Sequence, residues 1–167
     1  MPAEEVTIEQ CNAARISVFL DANVIIDAIR GSTRGGETFV RLNAIDRPLR
    51  LFSSTTLFEV AFARRGAAER TLRDDQAWLR AHANWVRFTE QVGRRFEHLM
   101  GPASRLVRGR ADLGDAMLAA FAPRQGGRLF AIATHDGDFR ELPVRLVSEF
   151  LPPQPSPPPE DAAPSAA

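Results

Sequence analysis

Two short apolar runs, each followed at once by polar residues that include acids, constrain this chain more than any other feature. Ile16-Ser17-Val18-Phe19-Leu20 runs straight into Asp21, and Leu129-Phe130-Ala131-Ile132-Ala133 runs into Thr134-His135-Asp136-Gly137-Asp138. Apolar segments this short, closed by turn-forming residues, read as buried strands rather than helices. Residues 24–29 then read as a helix stopped by Gly31, residues 32–36 as a loop, and residues 37–44 as a second helix ended by Pro48. Residues 49–52 read as another strand. Residues 53–56 offer several N-cap side chains for a helix that runs through Phe62. Strands alternating with helices imply an α/β fold with a parallel or mostly parallel sheet and helices on its faces. Sites in such sheets form beyond the C-terminal ends of the strands.

The remaining segments fit the same plan. Residues 66–110 are mostly helical in pattern, with Leu72, Trp78 and Leu79 marking one helix. Trp85-Val86-Arg87-Phe88 reads as a short strand, and Thr89 caps a helix that carries Val92, Phe96, Leu99 and Met100 and is interrupted at Gly101-Pro102. Asp112 opens a helix with Met117, Leu118 and Phe121 on its apolar side. Gly126-Gly127 is a turn, and residues 144–147 form a last short strand. Residues 1–15 are polar and aperiodic and read as an N-terminal extension. Residues 151–167 are rich in Pro and Ala and are expected to be disordered. The folded domain is thus expected over residues 16–150.

At 167 residues the chain is expected to form one domain with a core that needs no staple. Its single cysteine, Cys11, excludes an intramolecular disulfide and argues against a cysteine-based zinc site. His82, His98 and His135 share no short ligand spacing. No apolar run reaches the roughly 20 residues of a membrane span. Residues 1–10 carry no basic side chain, which does not fit a signal peptide, so the expected location is cytoplasmic. The formal net charge is zero, yet residues 61–110 hold eleven Arg against five acids, and all 21 basic residues are Arg. Arginine suits bidentate phosphate contacts, and it serves equally on plain solvent faces. The charge pattern therefore permits a nucleic-acid partner without indicating one.

The carboxylates carry more information. Asp21 follows the first strand, Glu59 is expected in the first turn of the helix after the second strand, and Asp136 and Asp138 follow the strand ending at Ala133. In a parallel sheet these places share one edge. Asp115 lies in the first turn of the helix before that last strand, and the chain must bring its helix start to the same edge. Each acid also has a local reading. Asp21 suits an N-cap, and Thr56-Leu57-Phe58-Glu59 fits a capping box. Asp112 and Asp115 suit a helix dipole, and Asp136-Gly137-Asp138 suits a turn. Gathered together, such carboxylates repel and their pKa values rise unless a divalent cation relieves them. An all-oxygen set without His or Cys fits Mg2+ or Mn2+ better than zinc.

In their order, four segments resemble the motifs of the PIN domain family. They are Val18-Phe19-Leu20-Asp21-Ala22-Asn23-Val24-Ile25-Ile26-Asp27, Ser54-Thr55-Thr56-Leu57-Phe58-Glu59-Val60-Ala61, Asp115-Ala116-Met117-Leu118-Ala119-Ala120 and Ile132-Ala133-Thr134-His135-Asp136-Gly137-Asp138-Phe139. The resemblance covers residues 16–150. It implies a PIN-like three-layer sandwich with a central, mostly parallel sheet flanked by helices. It implies Mg2+ or Mn2+ held by Asp21, Glu59, Asp115 and Asp136 or Asp138, with Asn23 and Thr134 orienting the acids. The implied activity is endoribonuclease cleavage of single-stranded RNA, tRNA or rRNA among the substrates, by metal-activated water. In size the chain resembles the VapC toxins of type II toxin–antitoxin pairs, which implies a homodimer and a small antitoxin protein that covers the site, with no membrane involved.

Several alternatives stay open. Asp112 competes with Asp115 as the third ligand, and Asp136 is favoured over Asp138 as the closer one. Arg105, Arg108 and Arg110 are weak candidates for the RNA backbone, against a solvated helix face. His135 reads as a loop residue, since a two-metal mechanism needs no general base. A PIN nuclease of RNA processing and a catalytically silent PIN-fold binding module are the competing functions. Retention of the whole acid set argues against the silent one.

Overall fold

Successive side chains of a strand face opposite sides, and the strand Ser17–Leu20 shows this directly. Val18 and Leu20 enter one hydrophobic cluster, while Phe19 enters another. The computed structural model of the chain describes residues 3–63, 69–87, 130–142 and 144–153. Within them the strands are β1 (Glu4–Val6), β2 (Ser17–Leu20), β3 (Arg50–Ser53), β4 (Asn84–Val86), β5 (Phe130–Ala133) and β6 (Arg145–Val147). They form one sheet in the order β1-β6-β5-β2-β3-β4, and every pairing is parallel. The helices are α1 (Ile8–Ala13), α2 (Ala22–Gly31), α3 (Glu37–Ala44), α4 (Ser54–Ala63) and α5 (Glu69–His82).

Among the described residues, the five helices pack on one face. Ile8 and Cys11 of α1, Val24, Ile25 and Ala28 of α2, Leu42 of α3, Val60 of α4 and Leu79 of α5 meet Val18, Leu20, Phe52, Ala131 and Ala133 there. The other face carries Phe19, Ile132 and Leu146, covered by Phe139 and Leu142. A 3-10 turn over Gly137–Glu141 supplies Phe139. The helices expected from Thr89 and Asp112, the turn at Gly126-Gly127, Gly101-Pro102, Arg105, Arg108, Arg110, Asp112, Asp115 and the tail from residue 154 onward lie outside the described residues.

Two expectations need correction. Residues 1–15 are not an extension outside the fold. β1 pairs with β6 in the register Glu4–Arg145, Glu5–Leu146 and Val6–Val147. The Cys11 side chain is fully buried, and Val6 and Ile8 join the core. An edge strand needs few apolar residues, so Glu4-Glu5-Val6 gives almost no hydrophobic signal. The helix does give one: Thr7 accepts from the Gln10 N–H at 3.1 Å, and the Gln10 side chain accepts from the Thr7 N–H at 2.8 Å. This reciprocal capping box was legible as Thr7-Ile8-Glu9-Gln10.

The second correction concerns α4. Its N-cap is Ser53, whose Oγ accepts from the Thr56 N–H at 3.1 Å. Thr56 is therefore inside the helix and does not cap it in a box with Glu59. Glu59 sits in the second turn, about 7.5 Å along the helix axis from Ser54.

The strand order has a consequence for the site. β2 is succeeded by β3 on one side, and β5 by β6 on the other. Connections leaving β2 and β5 thus diverge, and a crevice opens beyond their C-terminal ends, where ligands bind in sheets of this kind.

Candidate active site

Asp21 stands at that crevice. Its backbone N–H donates to the Ala133 carbonyl at 3.0 Å, which extends the β2–β5 ladder by one step and fixes where its side chain emerges. It is also the N-cap of α2, its Oδ1 accepting from the Ala22 N–H at 2.6 Å. The positive end of a helix thus faces the carboxylate. Only 6% of Asp21 is exposed.

Thr134 is the hub. Its hydroxyl donates to Asp21 Oδ2 at 2.6 Å and accepts the Asp136 N–H at 3.0 Å and the Asn23 side-chain amide at 3.4 Å. Asn23 in turn accepts the His135 N–H at 3.1 Å through Oδ1. One hydroxyl and one amide therefore hold the loop after β5 against the start of α2. Asp136 caps the Gly137–Glu141 turn, accepting the Asp138 N–H at 2.8 Å through Oδ1.

The electrostatics follow from this packing. Burial pushes the Asp21 carboxyl above its ordinary value, and the negative charge of Asp136 adds to the push. Hydrogen bonds from Thr134, the Ala22 N–H and Asn23 pull the other way and leave the net shift upward. Buried anionic charge beside a second carboxylate is an arrangement that a bound cation relieves.

The two acids that follow β2 and β5, Asp21 and Asp136, are brought together. Glu59 and Asp138 do not close a shell with them: among the described residues no three His, Cys, Asp or Glu side chains are grouped so as to hold a metal ion. Glu59 falls in the second turn of α4 rather than the first. Asp138 meets Asp136 through its backbone N–H in the tight turn. Asp115 lies outside the described residues. The donors present are oxygens, which fits a hard divalent cation.

From its sequence context alone, His135 is a loop residue. Its ring contacts residues from three distant segments: Nδ1 lies 2.8 Å from the Phe150 carbonyl, and Nε2 lies 3.4 Å from both Asp27 Oδ2 and Thr38 Oγ1. No short-range pattern could have announced these partners.

Residues 18–144 match the family model of the PIN domain. No curated relative matches the sequence. Three solved structures share the fold. DNA-bound VapBC from Salmonella typhimurium is 20% identical, with a TM-score of 0.61 over 78% of this chain and 96% of that one. FitAcB from Neisseria gonorrhoeae is 17% identical, with a TM-score of 0.59 over 79% and 97%. VapC20 from Mycobacterium tuberculosis, a toxin that cleaves the sarcin-ricin loop, is 22% identical, with a TM-score of 0.55 over 74% and 92%.

Proposed function

The chain belongs to the PIN domain family, and from that premise we propose that it is a metal-dependent endoribonuclease serving as the toxin of a VapBC-type toxin–antitoxin pair. The observation that carries the reading is the pairing of Asp21 with Asp136 at the point where the connections from β2 and β5 diverge. A buried carboxylate with a raised pKa, next to a second acid, costs stability and has a use when a cation sits between them. The toxin assignment is supported by the shared fold with VapBC, FitAcB and VapC20.

In this reading Asp21 and Asp136 would hold Mg2+ or Mn2+ directly, and Glu59, Asp115 and Asp138 are the further carboxylates that the resemblance implies for the shell. A bound cation would neutralise charge at the scissile phosphate and lower the pKa of a water enough to make it a nucleophile. The chain's own groups do the rest. Thr134 fixes Asp21 Oδ2 and the Asp136 backbone with a single hydroxyl. Asn23 holds the loop through the His135 N–H. The α2 N-terminus places its positive end beside the site, where it also favours a phosphate. A small antitoxin protein and a homodimeric, cytoplasmic state complete the proposal.

The test is cleavage of a mixed tRNA and rRNA pool by protein freed of any bound partner, with Mg2+ or Mn2+, comparing wild type with Asp21→Asn. Cation-dependent cleavage that disappears in the variant supports the reading. Clean wild-type protein that neither cleaves nor binds the cation would sink it in favour of a binding module.

A further inference from the structure

We infer that His135 is a positioning residue for the acidic loop, holding Asp136 in place together with Thr134. The inference rests on the metal-dependent reading above. Thr134 and Asn23 secure the loop from within, through the Asp136 N–H and the His135 N–H. The His135 ring adds side-chain contacts of its own. A carbonyl oxygen only accepts, so Nδ1 carries the hydrogen and donates to Phe150 at 2.8 Å. On the far side Nε2 faces Asp27 of α2 and Thr38 of α3, each at 3.4 Å. One side chain thus links the loop to two helices and to the turn over Ser148–Phe150.

The anchor is itself immobilised, which is what makes it useful. The Phe150 ring is buried at 1% exposure. Next to it, Glu149 accepts the Ile8 N–H at 2.9 Å through its carboxylate, and its carbonyl accepts from Arg41. The loop is therefore referred to a point held by α1 and α3. Asp136 follows His135 directly in the chain, so anchoring the His135 side chain restricts where the Asp136 backbone can sit. Groups that orient metal-ligating side chains typically change metal affinity by about 10–100-fold when removed.

The experiment measures Mn2+ affinity of the full-length chain by calorimetry and by the Mn2+ electron paramagnetic resonance signal, with metal-free thermal unfolding alongside. The variants are His135→Phe, which fills the space without donors, and His135→Asn, whose amide N–H replaces the Nδ1 donor to Phe150. His135→Phe is expected to bind Mn2+ at least about 10-fold more weakly, and His135→Asn to recover to within about 3-fold of wild type. If His135→Phe does not fold, His135→Ala takes its place. Wild-type affinity in the Phe variant, or equal loss in both variants, overturns the inference and leaves the metal-dependent reading standing. A wild-type chain that binds no Mn2+ removes both.

Discussion

Arg50 begins β3 and Asp21 lies just beyond the end of β2, so the two stand at opposite edges of the same parallel sheet. Both are buried charges, 7% and 6% exposed. Their surroundings differ in kind. Arg50 donates to the Ile45 carbonyl at 2.7 Å, the Asn43 carbonyl at 3.2 Å, the Asn43 side chain at 3.0 Å and the His82 carbonyl at 3.5 Å. Nearby, Arg47 donates to the carbonyls of Arg80, Ala81 and Ala83. The two guanidiniums satisfy the last carbonyls of α3 and α5, where cations complement the helix dipole. Burial lowers the Arg50 pKa, yet a guanidinium remains charged. Asp21 also has donors, but it faces a second carboxylate and its charge is not balanced. One edge is closed by matched partners and serves stability. The other retains negative charge beside a second carboxylate, which the proposed function puts to use in binding a cation.

Substitutions at the two edges should therefore fail in different assays. Asp21→Asn should reduce RNA cleavage by at least about 100-fold while the chain stays folded, since it removes a proposed ligand itself rather than a group behind it. Cleavage assays paired with circular dichroism check this, and wild-type cleavage by the variant would break the contrast at its strongest point. Arg50→Met should do the reverse. It leaves buried carbonyls without donors and should cost about 2–4 kcal/mol in denaturant unfolding, with Mn2+ affinity of the folded fraction unchanged. A cost as small as that of a surface substitution would show that the Arg50 cage is not structural.

Thr134→Val lies between these extremes. It keeps the shape but deprives Asp21 Oδ2, the Asp136 N–H and Asn23 of their shared hydroxyl. A loss of about 1–2 kcal/mol in stability together with about 10-fold in Mn2+ affinity is expected. Loss in only one of the two assays would assign Thr134 to one role.

The pH dependence sharpens the comparison further. Folding raises the Asp21 pKa above its ordinary 3.8, so the folded state favours the protonated form. The stability this group contributes is complete below pH 3.8 and is lost as the pH rises through the raised folded value. Metal-free wild type should thus lose stability relative to Asp21→Asn across that window, and Mn2+ should restore it. A difference in melting temperature that does not change with pH would refute the charge-burial account.

The smallest effect is expected at Arg15, which lies on the Arg50 edge but outside its cage of carbonyls. It adopts φ 55° after α1, where Ile16 N–H donates to the Cys11 carbonyl at 2.9 Å. That left-handed position favours glycine, so Arg15→Gly should stabilise by about 1 kcal/mol, reduced by the loss of an exposed ion pair with Asp46. Chemical denaturation resolves a change of that size.

The legibility of the site in the sequence tracks the distance over which each feature is encoded. The place of Asp21 and Asp136 beside strand ends is legible because each lies within three residues of one, and strand ends are marked by local hydrophobicity. Glu59 was placed one turn too early because Ser53, Ser54, Thr55 and Thr56 are all competent caps, and only the packing of β3 against α4 selects Ser53. The N-terminal strand was missed because two of its three residues are exposed glutamates at a sheet edge. His135 was passed over because its partners at positions 27, 38 and 150 are remote in sequence.

By itself, the sequence determined the class of fold and the adjacency of acids to strands. Apolar runs of four or five residues must be buried, and alternation with helices makes the sheet parallel. The tertiary structure alone decided that β2 and β5 are neighbours, that their connections diverge, and that Thr134 reaches Asp21 across 113 residues of chain. Periodicity reports which way a residue faces along its own element. Which elements meet depends on how the faces of all of them pack at once, and no local pattern contains that.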